Sequence, residues 1–238
     1  MKSAQYQGDR RISVGASEPI VPGPAQARLD VSYCGICGTD IHIYHGAMDA
    51  RVQRPLILGH EASATVAEVG SEVTRVAVGD RVAVRPMDFG EPSPFDKGYP
   101  HVGKNLKFIG IDSPGGMQSS WTVPAHTLHK LPDSLSFEHG ALIEPAAVAC
   151  HDVRLGEVTT GEMVVVIGGG PIGLLIGLVC LQKGARVILS EVNETRLRLA
   201  GELGMTGVNP TSQDLPAVVD ELSGGAMADC VFEVSGSA

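Results

Sequence analysis

A thiol, an imidazole and a carboxylate lie close together along the chain: Cys37 in GICGTD, and His60 and Glu61 in GHE. A catalytic zinc site takes three protein ligands from this set of groups and leaves a fourth position open for water or substrate. Glu144 stands in reserve as a second carboxylate. A metal so held keeps the thiol deprotonated and draws the pKa of a bound water or alcohol down to about 7. Further along comes GGGPIG, Gly168 to Gly173, the pattern of a loop that cradles a pyrophosphate. Metal and nicotinamide together point to hydride transfer on an alcohol or carbonyl.

The glycine motif has the context it needs. Val164 to Ile167 supply a strand, Gly168 a tight turn, Gly170 close backbone approach to the pyrophosphate, and Gly173 close packing of helix on strand. A helix opening at Pro171 and Ile172 aims its free N–H groups at the phosphates. Its residues are apolar nearly all round, as for a helix buried against a sheet. Glu191 follows the second strand, where the acidic residue for the adenosine ribose belongs. A carboxylate there repels a 2′-phosphate, so NAD is expected over NADP, while Arg196 and Arg198 keep the phosphorylated form in play.

Two kinds of element must position these groups. Up to about residue 150 the chain shows short alternating apolar runs, such as Ala27 to Tyr33, Ala64 to Val69 and Arg81 to Val84, broken by Gly, Pro and Asp. That pattern predicts a β-rich, barrel-like domain. Beyond Glu157 it changes to strand (Met163 to Ile167), helix (Pro171 to Lys183), strand (Ala185 to Ser190), helix (Glu194 to Leu203), which predicts βαβ units on a parallel sheet. The expected division is 1–152 and 153–238, with the joint between His151 and Gly161. The last residues, from Ala228, read as a further strand. A doubly wound domain needs more strands than these, so the chain is expected to be truncated within its second domain.

The balance of 18 Lys+Arg against 27 Asp+Glu, formal net charge -9, argues against nucleic acid or an anionic membrane as partner. Met163 to Leu181 is uncharged and long enough to span a bilayer, yet Gly168 to Pro171 interrupt it, and a strand, turn and buried helix explain it better. Five scattered cysteines and a start without an apolar leader fit a reducing cytoplasm. Cys34 and Cys37 form a CxxC that also fits a redox pair or half of a four-cysteine zinc site; the absence of a second CxxC favours Cys34 as a small buried neighbour. Cys150, Cys180 and Cys230 read as packing residues.

The strings GICGTDIH, GHE, VGDRV, LIEP and GGGPIG, in this order and spacing, resemble the zinc-dependent medium-chain alcohol and polyol dehydrogenases, and most of all the branch of the sorbitol, butanediol and threonine dehydrogenases. The resemblance implies a GroES-like catalytic domain followed by a Rossmann domain, with Cys37, His60 and Glu61 on one zinc and Glu144 as an exchangeable ligand or water-holder. It implies that Asp40 accepts the other ring N–H of His60, and that Thr39 and His42 relay the alcohol proton to solvent. It also implies that no structural zinc binds, since Arg85 to Gly110 contains no cysteine. Small alcohol or polyol substrates and a dimer or tetramer of the full-length protein complete the expectation. The rival readings are a zinc-free quinone or enoyl reductase of the same fold, which has no use for a thiolate–imidazole pair, and a binding protein without turnover.

Overall fold

The computed structural model describes residues 1–236. The chain forms two compact units, Met1–Glu144 and Pro145 onward. In the first, strands β1 (Lys2–Gly8), β2 (Arg11–Ala16) and β3 (Gln26–Cys34) precede a short helix, α1 (Gly38–Tyr44). Then come β4 (Leu56–Ile57), β5 (Ala62–Val69), β6 (Arg81–Val84), β7 (Met87–Asp88), β8 (Lys107–Phe108), β9 (Ser120–Pro124) and β10 (Leu128–Lys130), followed by α2 (Phe137–Ala141). The main sheet is antiparallel in the order β10-β6-β5-β3-β9, beside a smaller one ordered β2-β1-β4. Alternation along β3 and β5 sends Ala27, Leu29, Ala64 and Val66 into a core shared with Val82, Trp121, Val123 and Leu128. The expected strands therefore form, each within two residues of the reading. Ala64 is fully buried and its methyl belongs to that core.

The helix α3 (Ile143–Leu155) runs through the point where the expected boundary at 152 falls. In the second unit β11 (Met163–Ile167), α4 (Pro171–Gln182), β12 (Arg186–Ser190), α5 (Glu194–Glu202), β13 (Thr206–Val208), α6 (Leu215–Ser223) and β14 (Cys230–Glu233) build a sheet ordered β13-β12-β11-β14. All its pairings are parallel. The central strand β11 is buried on both faces, as the run MVVVI requires. Among the described residues no helix is long and apolar enough to cross a membrane. Cys180 lies in the core and Cys230 packs against it, but Cys150 is exposed, since its place on α3 turns it outward.

The stretch between β7 and β8 is ordered by a carboxylate. Asp96 accepts from the Ser93 hydroxyl at 2.7 Å, the Ser93 N–H at 2.9 Å and the Lys104 N–H at 3.3 Å. Those hydrogen bonds, led by the hydroxyl, hold its carboxyl below the usual range. Two short 3-10 turns, Pro94–Asp96 and Pro100–Val102, close around it.

Candidate functional site

Two loops bring the donors of the first unit together. Cys37 caps α1, and its own N–H donates to Asp40 Oδ2 at 2.9 Å, which closes the first turn. His60 and Glu61 arrive between β4 and β5, after Gly59 with φ +92°. A side chain at Gly59 would meet Cys34 Sγ at 2.5 Å and Met117 Cγ at 2.8 Å, so only glycine lets this strand lie against the Cys34 loop. The Gly35 N–H donates to the Glu61 carbonyl at 2.8 Å, and a methyl at Gly35 would collide with the Glu61 carboxylate. Donor atoms of Cys37, His60 and Glu61 thus lie within 4.8 Å of one another. Two ligands around one tetrahedral zinc keep about 3.5 Å.

The electrostatics of the cluster ask for a cation. Burial pushes the Cys37 thiol up, partly opposed by hydrogen bonds from the Thr39 backbone and hydroxyl, with the Glu61 and Asp40 charges adding to the rise. Burial also raises Glu61, against the pull of His60, and Glu144, likewise against His60. Cys34 is driven to about 12, chiefly by burial, which leaves it a thiol beside the cluster. His60 is 3% and Glu61 9% exposed. A soft sulfur, an imidazole and a carboxylate share a buried space in which burial disfavours the thiolate and carboxylate unless a cation joins them, and that donor set suits a borderline ion such as zinc.

The surrounding residues fall in part where the sequence places them. Glu144 is coupled electrostatically to His60 and Glu61 but stands outside the close set of three. His42, one helical turn beyond Thr39, is exposed. The Thr39 hydroxyl rests on the Cys37 sulfur, a neighbour the relay reading did not include. Asp40 departs from expectation. Its Oδ1 accepts from the Gly59 N–H at 3.1 Å and its Oδ2 from the Cys37 N–H, so both oxygens brace the backbone that carries these donor groups. Its distance to His60 Nδ1 is 3.9 Å, beyond hydrogen-bond reach.

The second unit carries the glycine turn. Gly168 has φ +106°, and a side chain there would strike Ser235 at 2.7 Å. A methyl at Gly173 would drive into the Gly168 carbonyl. At Gly170, the cap of α4, a methyl would meet no protein atom, which leaves that backbone bare for a ligand. Pro171 and Ile172 open α4 directly after it. Glu191 follows β12 and is 8% exposed. Its Oε1 accepts from the N–H groups of Val192 at 2.7 Å and Asn193 at 2.9 Å. Its Oε2 accepts from the Gly169 N–H at 2.9 Å and from Arg196 at 3.2 Å. Burial works to raise this carboxyl, but the hydrogen bonds outweigh it and hold it below the usual range.

Known proteins resemble this chain over nearly its whole length. The family profile of the alcohol dehydrogenase GroES-like domain matches residues 23–133, and that of the zinc-binding dehydrogenases matches 171–238. A 2-dehydro-3-deoxy-L-galactonate 5-dehydrogenase of Pseudoalteromonas atlantica is 51% identical over 99% of this chain and 70% of its own length. Sorbitol dehydrogenase 1 of Saccharomyces cerevisiae is 39% identical over 92% of the chain and 65% of its own length. A Sinorhizobium meliloti protein, described as a zinc-binding dehydrogenase and solved with NADP, superposes with a TM-score of 0.91 at 35% identity, over 100% of this chain and 70% of that one. The chain therefore belongs to the zinc-type medium-chain dehydrogenases, an oxidoreductase family. Within it, the similarity runs to the alcohol and polyol dehydrogenases. The chain spans 65% to 70% of the length of these relatives.

Proposed function

We propose that this protein oxidises a polyol or sugar-derived secondary alcohol, and reduces the matching ketone, using one zinc ion held by Cys37, His60 and Glu61 and NAD in preference to NADP. The convergence of those three donors carries the reading. The relative that acts on 2-dehydro-3-deoxy-L-galactonate supports a polyhydroxylated substrate. When bound, zinc supplies electrophilic activation of the substrate oxygen and the nicotinamide supplies the hydride acceptor.

The chain's own residues do the rest. Cys37 and Glu61 would hold the metal as anions with His60 as the neutral third ligand, and Glu144, which feels the charges of His60 and Glu61, would hold a water or exchange onto the ion. Thr39 Oγ1 can donate and accept at once, and passes the alcohol proton toward exposed His42. Gly170 and the start of α4 take the pyrophosphate, and Glu191 accepts from the ribose hydroxyls, displacing part of its present contacts. Arg196, drawn to Glu191, lines the same ribose site. The lobe ordered by Asp96 holds without a second metal. A small alcohol is the partner, in an assembly of two or four subunits in the cytoplasm.

The test is metal analysis of the purified protein, then oxidation of a panel of polyols and sugar-acid alcohols with NAD and NADP, before and after chelation. Failure to find zinc, or turnover insensitive to chelator, removes the reading. A pH dependence follows as well. Burial raises Cys37 above the ordinary thiol range in the metal-free fold, so near neutrality the sulfur holds a proton that zinc must displace, and burial also raises Glu61. Zinc affinity is then expected to fall as pH drops, by about tenfold per pH unit for each proton displaced. Competition with a chromophoric chelator between pH 6 and pH 8 measures it, and a flat profile contradicts the assignment.

A further inference from the structure

The N-terminal hairpin breaks two local rules at one place. Strands β1 and β2 close through the pair Gly8 and Arg11, which leaves Asp9 and Arg10 as a two-residue loop. Both have positive φ, +51° and +57°. A hairpin loop with two such residues prefers Asn or Asp first and Gly second. Asp9 obeys. Arg10 does not, although a long side chain in the left-handed region carries a conformational cost. The pairing also slips between Tyr6 and Gly8, so that Gln7 faces no residue of β2. Such a bulge re-aims the side chain it carries.

Both irregular residues line one cavity. Its volume is about 730 Å³, and Gln7, Arg10, Arg11, Ile12, Ser13 and Tyr44 surround it, a size usual for small-molecule sites. On a chain of net charge -9, two guanidinium groups stand here with little to balance them. The Arg10 side chain has no hydrogen bond or ion pair among the described residues. Arg11 pairs with Asp9 at 3.5 Å, and both side chains are largely exposed, so the pair contributes little. Asp49, which also meets this hairpin, is taken by the Tyr6 hydroxyl at 2.8 Å and by Arg54 at 3.1 Å. Gln7 Nε2 donates to the Ser13 hydroxyl at 2.8 Å, which leaves the amide oxygen and the hydroxyl proton for other partners. Tyr44 ends the helix α1, and Cys37 caps its start, so about 10 Å of helix separate the cavity from the thiol.

We propose that this cavity binds a polyhydroxylated acid of sugar size, with its anionic group on Arg10 and Arg11 and its hydroxyl groups on Gln7 and Ser13. Arginine presents a planar fork that matches a carboxylate through two hydrogen bonds. The inference goes beyond the zinc reading and stands whether or not a metal binds, since none of the six lining residues belongs to the donor cluster.

The test is titration calorimetry on the purified protein with three probes: D-gluconate, the uncharged D-glucitol and inorganic phosphate. D-Gluconate is expected to bind with a dissociation constant of about 1 mM, rising with salt, and the other two about tenfold more weakly. Arg10→Gly separates ligand from fold. Glycine suits the positive φ, so this variant should melt close to the wild-type temperature yet bind D-gluconate about tenfold more weakly. Arg11→Gln should show the same loss. Wild-type affinity for D-gluconate in both variants, no saturable binding by the wild-type protein, or D-glucitol or phosphate binding as tightly as D-gluconate would overturn the proposal. The readout is binding and not turnover, so such a failure leaves the zinc site untouched, and absence of zinc leaves this cavity untouched.

Discussion

Replacing Cys37 with serine is expected to empty the metal site and to lower alcohol oxidation by about a thousandfold, the rate equivalent of the several kcal/mol that a Lewis-acid ion contributes. A serine hydroxyl stays protonated near neutrality and binds zinc poorly, so the site falls to one imidazole and one carboxylate. Those two, His60 and Glu61, are adjacent in sequence and share a strand entry, so they cannot close around an ion without the sulfur arriving from the Cys34–Gly38 turn. The fold should tolerate the change, because the hydrogen bond from the Cys37 backbone N–H to Asp40 remains and a serine hydroxyl at the cap accepts from the first-turn N–H groups that now face the sulfur. Zinc content per chain, melting temperature and turnover, measured together, separate these effects. A serine variant that retains stoichiometric zinc would remove Cys37 from the ligand set.

The division between what the sequence reveals and what it hides follows the range of the interactions. Strand periodicity and glycine turns are local, and the alternation in Ala27 to Tyr33 or the run Met163 to Ile167 reports directly which face is covered. The donor trio is nearly local too, since Gly59 and Gly35 sit beside the residues they let approach. Glu191 was placed by its distance from the glycine turn. The remaining contacts join residues with no mutual signal. Phe108 is an ordinary aromatic in NLKFIG, and nothing in that string tells that it will stand against His60. Asp96 in SPFDKG reads as a turn former, although three donors converge on it. Asp40 shows the reverse case. Its type and place were legible, but which hydrogen its oxygens would take depended on where the Gly59 N–H fell, and that is a property of the folded loops.

Replacing Glu191 with glutamine is expected to shift cofactor preference from NAD toward NADP by about a hundredfold, the product of two losses. Charge-assisted hydrogen bonds to the ribose hydroxyls weaken, each worth about 1.5–3 kcal/mol, and the repulsion that disfavours a 2′-phosphate disappears. Arg196 gains a part in the second effect. It is now paired with Glu191 at 3.2 Å and about half exposed, so loss of the carboxylate frees a guanidinium suited to phosphate. The same carboxylate also ties the Gly169 turn to the start of the next loop, so stability must be followed separately. Its folded pKa is lowered. Its contribution to stability is therefore present above the ordinary glutamate value of about 4.3 and is lost as pH falls through the folded value. The glutamine variant should lack that acid-side loss while melting at a lower temperature near neutrality. Dissociation constants for NADH and NADPH, read by fluorescence in both proteins, decide the matter: an unchanged ratio would show that the ribose is recognised elsewhere, whatever the melting curves report.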